Sequence, residues 1–166
     1  ALAVVVVGAC ALLLGTAQAP SQIASATQAD LGQTERQAKV ARLVGSMFER
    51  SHYRQAPIND PVSSLVLDRY IESLDGNRSY FLASDIAEFE RYRYQLDDAV
   101  ASGKLEAAFA IYNRFQARNR ERMAFALESL KKEPDFTLDE TFDFDREDAP
   151  WAKSTAELDD IWRKRV

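Results

Sequence analysis

The sequence contains few of the residues from which disulfide frameworks, metal sites and phosphate-binding loops are built. Its 166 residues include one Cys, one His, six Gly and five Pro. A zinc site usually gathers several Cys or His side chains, so no zinc site is expected. One cysteine excludes a disulfide-dense scaffold, and no Gly-rich phosphate loop occurs. With 46% apolar residues, the composition also excludes a collagen-like or disordered chain.

An excess of basic residues is also missing. The 21 Lys and Arg residues and 26 Asp and Glu residues give a net charge of −5. Proteins that bind nucleic acid usually carry a basic excess, so no nucleic-acid partner is expected. The length allows one domain with a real core, because chains of about 150 residues bury roughly two-thirds of their unfolded surface.

The N-terminal part lacks charge: no charged residue precedes Asp30, and residues 1–14 are almost wholly apolar. A signal-peptide core has about 7–15 such residues, whereas a membrane-spanning helix needs about 20. Because Gly15-Thr16 breaks the run, we predict that residues 1–26 are a signal peptide and its cleavage region, without the usual basic start. The favoured cleavage site follows Ala24-Ser25-Ala26.

From Glu35 onward the apolar residues recur at helical spacing, and no stretch alternates strictly enough to predict a strand. We therefore predict an all-α, multi-helix domain of amphipathic helices over residues 27–166, preceded by the signal peptide. The apolar faces predicted for three of the helices are Val40, Leu43, Val44, Met47 and Phe48; Ala108, Ile111, Tyr112, Phe115, Met123, Ala126, Leu127 and Leu130; and Leu158, Ile161, Trp162 and Val166.

Several local patterns predict where the helices begin and end. Asp60 followed by Pro61 is typical of an N-cap and first helical position. One helix is expected from about residue 84 to Gly103, and a long one over about 104–131. Ser154 with Glu157 three positions later predicts a capping box at the start of the last helix.

Charge is segregated along the second half of the chain. Residues 104–132 hold seven basic and three acidic residues (net +4), and residues 133–150 hold one basic and eight acidic residues (net −7). Arg114, Arg118 and Arg122 recur every four residues and share a helix face. The simplest interpretation is a solvated face and a loop. A second hypothesis is that the acidic segment folds back on these arginines, where each exposed ion pair would add less than about 1 kcal/mol.

The sequence assigns no catalytic, cofactor-binding or metal-binding residue. His52, the only histidine, has no nucleophile-elbow context that would make it part of a Ser-His-Asp triad. Ser129 and Lys132 match a short Ser-x-x-Lys pattern at an amphipathic helix end, where a solvated surface is expected. Acidic residues alternate over 143–147, but the Gly and the final Glu of a calcium loop are missing.

Long strings of residues carry a family resemblance. The strings are LDRYIESLDGNRSYFLASD (67–85), AFAIYNRF (108–115), DREDAPWAK (145–153) and LDDIWRKRV (158–166). They resemble the N-terminal domain of the tail-specific proteases, or C-terminal processing peptidases, of bacterial envelopes. The resemblance covers about residues 35–166, and it implies a domain truncated at its C-terminal end.

The resemblance implies that the parent protein is a periplasmic serine endopeptidase. Such enzymes use a Ser nucleophile with a Lys base, and a PDZ domain that captures the apolar C-terminal tails of envelope protein substrates. Both elements lie downstream of the domain seen in this sequence, so no catalytic residue is carried over. The helical domain would serve as a scaffold and help to dock an adaptor lipoprotein. A membrane is expected only as the target of the signal peptide or as the inner-membrane periphery.

The alternative is a free-standing exported helical interaction module, an adaptor or envelope scaffold without catalysis. Under either interpretation the exposed residues matter most. Aromatic residues expected at the surface and the arginine face provide the candidate partner contacts, with core packing as the competing use for at least half of the aromatics. The candidates are Tyr80, Phe81, Tyr92, Tyr94, Arg114, Arg118 and Arg122.

Overall fold

A computed structural model describes residues 29–51, 53, 57–133, 135 and 137–166. The described residues form six α-helices and no strand, so the all-α prediction is confirmed. The predicted signal peptide and His52 lie outside the described residues. The helices are α1 (Glu35–Ser51), α2 (Asp60–Asp75), α3 (Ala83–Phe89), α4 (Leu96–Ser102), α5 (Glu106–Ser129) and α6 (Thr155–Arg165), with a 3-10 turn (Glu90–Tyr92) between α3 and α4.

Side-chain caps define the starts of α2 and α6. The backbone N–H of Val62 donates to Asn59 Oδ1 at 3.4 Å, so the N-cap of α2 is Asn59 and not the predicted Asp60. The predicted N-cap of α6 is confirmed, since Ser154 Oγ accepts from the N–H of Glu157 at 3.2 Å. The returning half of the predicted capping box differs, because the Glu157 carboxylate accepts from the N–H of Lys153 at 2.7 Å and not from that of Ser154. Both caps satisfy backbone N–H groups that have no partner inside the helix.

The single helix predicted from about residue 84 to Gly103 is wrong, because the structure divides it into α3, the 3-10 turn and α4. The Ser63 hydroxyl of α2 occupies the break. It donates to the carbonyl of Arg93 at 2.8 Å and accepts from the N–H of Leu96 at 2.9 Å. Backbone groups freed by the break are thereby satisfied inside the domain, which removes the penalty of interrupting the helix.

Two connected clusters form the core. The first, between α2, α3, α4 and α5, contains Leu67, Ile71, Phe81, Phe89, Leu96, Ala107 and Ile111. The second packs α6 onto α5 and contains Leu82, Ala152, Leu158 and Trp162. Trp162 Nε1 donates to the carbonyl of Ser79 at 2.6 Å, and an isolated bridge joins Leu82 to Ala152. The last helix is therefore held by apolar burial and by a buried hydrogen bond.

Helix α1 packs against α4 through small residues. Ala38 and Gly45 are its buried residues, and a Cβ added at Gly45 would lie 2.8 Å from Val100 Cγ1. Gly103, at the end of α4, has a φ of 73° and lies so close to α1 that an added Cβ would be 2.5 Å from the carbonyl oxygen of Ala38. The contact depends on missing side-chain atoms, which let the two backbones approach each other.

Two of the predicted apolar faces are therefore not covered in this domain. Within the described residues, the five apolar residues predicted for the first helix are 42–59% exposed. The prediction for α5 is right for its first half, where Ile111 is buried. It is wrong for the second half, where Met123, Leu127 and Leu130 are 41–66% exposed. Small residues, and not these large ones, bring α1 to α4, and α6 covers only one side of the second half of α5.

Amide side chains hold the segment before α1 against the rest of the domain. Asn113 Oδ1 accepts from the N–H of Leu31, and Asn113 Nδ2 donates to the carbonyl of Leu31, both at 2.9 Å. Gln33 makes a similar pair: its Oε1 accepts from the N–H of Leu105, and its Nε2 donates to the carbonyl of Gly103, both at 2.5 Å. Each amide thus satisfies one backbone donor and one backbone acceptor.

The described helices are too short or too polar to cross a lipid bilayer.

Candidate interaction site

A buried carboxylate lies at the centre of the arginine face. Asp85 lies in the first turn of α3 and is only 1% exposed. Its Oδ2 accepts from the backbone N–H of Leu82 at 3.0 Å. A negative charge at this end of a helix also interacts favourably with the helix dipole.

Two arginines of α5 converge on this carboxylate. Arg118 binds it in a bidentate manner, with Nε 2.8 Å from Oδ2 and Nη2 3.1 Å from Oδ1. Arg114 Nη1 lies 2.9 Å from Oδ1 of Asp85, and its Nη2 lies 2.9 Å from Glu88 Oε2. The two arginines therefore tie α5 to α3 through charge-assisted hydrogen bonds, the stronger class of hydrogen bond in proteins.

The surroundings of Asp85 keep it ionised. Burial by itself would raise the pKa of this carboxyl group. The hydrogen bonds from Arg118 and from the N–H of Leu82, with the positive charges of Arg118 and Arg114, outweigh that effect and hold the pKa below its usual value. Its negative charge raises the pKa of Arg118 in turn. At neutral pH the cluster is a fully charged structural unit.

The third arginine of the face connects α5 to α6. Arg122 is 4% exposed, pairs with Asp159 of α6 and lies 5.3 Å from the ring centroid of Phe125. The hypothesis that residues 133–150 fold back on the three arginines is wrong for the described residues. Their ion-pair partners come from α3, α5 and α6, and Glu140 of the acidic segment pairs instead with Arg163, at 2.8 Å. Helix packing brings Asp85 and Asp159 directly against α5, so the arginines are already occupied.

The four candidate aromatic residues differ in exposure. Phe81 is fully buried and packs edge-on to Phe89, at 5.3 Å between ring centroids, so the expectation that it is exposed is wrong. Tyr80 is half-buried between Phe115 and Trp162, at 5.3 and 5.5 Å. Its position follows from the turn before it, in which the buried Asp75 accepts from three successive backbone N–H groups at 2.7–2.9 Å.

Tyr92 and Tyr94 are the candidates nearest to solvent. Tyr92 is half-buried; its hydroxyl accepts from Arg91 Nη2 at 2.7 Å, and the Arg91 guanidinium lies 4.7 Å from its ring centroid. Tyr94 is 61% exposed. Of the seven residues named from sequence, Tyr94 alone offers most of its side chain to a partner.

The backbone around Tyr94 is held firmly in place. The preceding Arg93 binds Glu90 through two hydrogen bonds of 2.5 and 2.6 Å and Asp68 at 2.9 Å. It also donates to Ser64 Oγ at 2.8 Å. These contacts tie the turn between α3 and α4 to α2, so an exposed aromatic ring projects from a well-supported loop.

Sequence reasoning missed the two buried carboxylates that organise this region. Neither Asp75 nor Asp85 is predicted from the sequence to be buried. The recurring arginines were the available signal for Asp85, since arginines that become buried need anionic partners. Among the described residues, no group of three or more His, Cys, Asp or Glu side chains is placed to hold a metal ion. The site can therefore present a rigid surface, and its charged groups are engaged in structure.

Comparisons with known proteins identify the family. Residues 44–166 match the family model described as the tail specific protease N-terminal domain. Over 118 residues, 70% of this chain, the sequence is 40% identical to the tail-specific protease of Haemophilus influenzae, and it spans 17% of the length of that relative. The region matched by the family model contains the buried carboxylates and the arginine face of α5. The chain therefore belongs to the tail-specific protease family, and residues 44–166 correspond to the N-terminal domain of that family.

Proposed function

We propose that this helical domain is the N-terminal scaffold of a periplasmic serine endopeptidase that processes or degrades proteins with apolar C-terminal tails. The observation that carries the proposal is the match of residues 44–166 to the N-terminal domain of a protease family. In the parent protein a Ser nucleophile activated by a Lys base would cut the chain, and a PDZ domain would bind the terminal carboxylate of the substrate.

The charged cluster supports a scaffold role. Asp85, Arg114 and Arg118 join α3 to α5, and Arg122 joins α5 to α6, so three helices are fixed relative to one another. A rigid surface binds a partner at a lower entropic cost than a mobile one. The domain can thus hold an adaptor, or wall a cavity, without a reactive group of its own.

Tyr94 is the proposed contact for an adaptor lipoprotein. Tyrosine is enriched among the residues that dominate interface energetics, and here its backbone is fixed through Arg93 before any partner arrives. Tyr92 and Arg91 extend the same surface. Arg114 and Arg118 are proposed to support it from behind by holding α3 in place.

Cleavage assays test the enzymatic part of the proposal. The parent protein, expressed from the complete coding sequence, is incubated with a peptide that ends in apolar residues and with a control peptide that ends in two aspartates. We expect cleavage of the apolar-tailed peptide by the parent and no cleavage by this chain alone. Cleavage by this chain, or equal cleavage of both peptides by the parent, would contradict the proposal.

The coding sequence beyond Val166 separates the protease from the alternative of a free-standing exported helical module. A following PDZ-like segment with a later Ser and Lys would support the protease, and an immediate stop codon would support the module.

Site-specific cross-linking in the parent protein tests the adaptor contact. A photoreactive phenylalanine analogue is placed at Tyr94, and in a control variant at Leu127, which is 64% exposed on α5. We expect a discrete adduct with an envelope lipoprotein from position 94 and none from position 127. Adducts of equal yield from both positions, or no adduct from position 94, would remove Tyr94 from the interface.

A further inference from the structure

The outer side of α1 is apolar although nothing in the described part of the domain covers it. Ala38 and Gly45 face α4, with Ala41 half-buried beside them. At 100° per residue, the large apolar residues are centred about 140° away around the helix. We define the outer face of α1 as Val40, Leu43, Val44 and Met47, which are 50%, 59%, 42% and 56% exposed.

Most of the charged residues of α1 are separated by sign around the helix. Arg36, Arg50 and Lys39 lie within about 100° of the centre of the outer face, whereas Glu35 and Glu49 lie about 130° and 170° from it, at 100° per residue. Arg42, about 150° from that centre, is the exception, and it donates to the carbonyl of Ser102 at 3.1 Å. All six are exposed. Arg36 therefore lies at the amino-terminal end of the outer face, Lys39 and Arg50 border it along one side, and the acidic residues lie towards the domain.

We infer that the outer face of α1 is a docking surface for an anionic lipid bilayer. A helix with one apolar face bordered by Lys and Arg lies in the membrane interface, where its apolar side chains enter the acyl boundary and its cations meet the headgroup phosphates. The small-residue contact with α4 suits this orientation, because it holds the rest of the domain on the side opposite the bilayer.

Charge favours a bilayer over a second copy of the chain as the occupant. Among the described residues, Arg36, Lys39 and Arg50 take part in no ion pair. Two copies meeting through this face would bring like-charged borders together, whereas anionic headgroups would neutralise them. The net charge of −5 for the whole chain opposes binding only weakly, because salt screens charges beyond about 8 Å at physiological ionic strength.

This inference rests on the proposed export of the chain, because export determines which membrane α1 can reach. It does not depend on the proposed proteolytic activity. Binding to vesicles can therefore fail while the parent still cleaves its substrates, and the reverse is equally distinguishable.

A site-specific fluorescence experiment tests the inference and separates α1 from the apolar run at residues 1–14. In a Cys10→Ser background, Met47→Cys on the outer face and Glu49→Cys on the opposite side are each labelled with an environment-sensitive fluorophore. Vesicles of phosphatidylcholine with 30% phosphatidylglycerol are titrated in, with pure phosphatidylcholine vesicles as the comparison. Far-UV circular dichroism is used to check that both labelled chains keep their helix content.

We expect a blue shift at position 47 and none at position 49, and binding at least about tenfold tighter to the anionic vesicles. Combining Arg36→Glu, Lys39→Glu and Arg50→Glu should abolish that preference. Equal shifts at positions 47 and 49, or equal affinity for both vesicle types, would overturn the inference. A shift at position 47 that grows with protein concentration in the absence of vesicles would assign the face to a second copy.

Discussion

Helices α1 and α6 both have apolar residues at helical spacing in the sequence, but their apolar faces point in different directions. That of α6 faces the core, and that of α1 faces away from it. In α6, Leu158 and Trp162 are 1% and 4% exposed and close the second core cluster. In α1 the large apolar residues face outward, and Ala38 and Gly45 make the contact with the domain. Periodicity thus identifies an apolar face, but small residues elsewhere on the helix can make the contact that packs it against the domain.

The largest effect is expected where α6 enters the core. Trp162→Ala should lower the free energy of unfolding by about 3–5 kcal/mol, because it opens a cavity beside Tyr80 and removes the donor to Ser79. Urea denaturation followed by far-UV circular dichroism measures the loss. Trp162→Phe keeps most of the volume and isolates the hydrogen bond, for which about 1–2 kcal/mol is expected. A loss below 1 kcal/mol for the alanine variant would show that α6 is not part of the core.

The second prediction concerns the charged cluster between α3 and α5. Asp85→Asn should cost about 3 kcal/mol, because it leaves Arg118 and Arg114 without the carboxylate that pairs with both. Glu121→Gln is the matched control. It removes an exposed partner of the same Arg118 and should cost less than about 1 kcal/mol.

The difference in stability between the natural chain and Asp85→Asn should also depend on pH, and its sign follows from the pKa of Asp85. The pKa of Asp85 is lower in the folded chain than in the unfolded one, so its contribution is complete above the unfolded value of about 3.9. It is lost as the pH falls through the folded value. The stability difference between the natural chain and Asp85→Asn should therefore shrink as the pH is lowered from about 5 to 2. A constant difference over this range would show that the charge of Asp85 is not what stabilises the cluster.

A smaller effect is expected at the inner side of α1. Gly103→Ala should cost about 2 kcal/mol, because the residue has a positive φ and the new Cβ would press on the backbone oxygen of Ala38. Gly32→Ala should be neutral, since no atom lies within 4 Å of the added Cβ. Equal stability of the two variants, measured by thermal unfolding, would argue against the close contact of α1 with α4.

The smallest effect is expected on the outer face of α1, where Leu43→Ala should change the stability by no more than about 0.5 kcal/mol. Leu158→Ala in α6, the same chemical change at a buried site, should cost about 2–5 kcal/mol. Chemical denaturation of the two variants side by side completes the comparison. Similar losses would mean that something covers the outer face of α1 in the free chain.

The features predicted correctly from sequence are those set by neighbouring residues. Ser154 caps α6 because the N–H of Glu157 lies three positions further along the chain. The break between α3 and α4 depends on Ser63, about 30 residues away in sequence from the atoms it binds, and local spacing carries no information about that contact.

The candidate site likewise contains features that local spacing predicts and features that depend on distant residues. The helical spacing of Arg114, Arg118 and Arg122 was predictable, whereas their partners Asp85 and Asp159 lie about 30 to 40 residues away and were identified only by the packing of α3 and α6 against α5. The acidic segment looked like the natural partner because its charge is high. The net charge of a segment does not determine which side chains meet, and here one buried carboxylate, Asp85, pairs with two of the three arginines.

The amide side chains of Asn113 and Gln33 hold the segment before α1 to the domain, each through a pair of hydrogen bonds. Leu31 is nearly half exposed, so hydrogen bonds hold it more than apolar burial does. Exopeptidase trimming that stops before residue 31 would leave both pairs of hydrogen bonds intact. One further cut, after residue 31, would remove the pair between Leu31 and Asn113. The extent to which the amino end can be shortened without loss of these contacts is thereby set by two carboxamide groups.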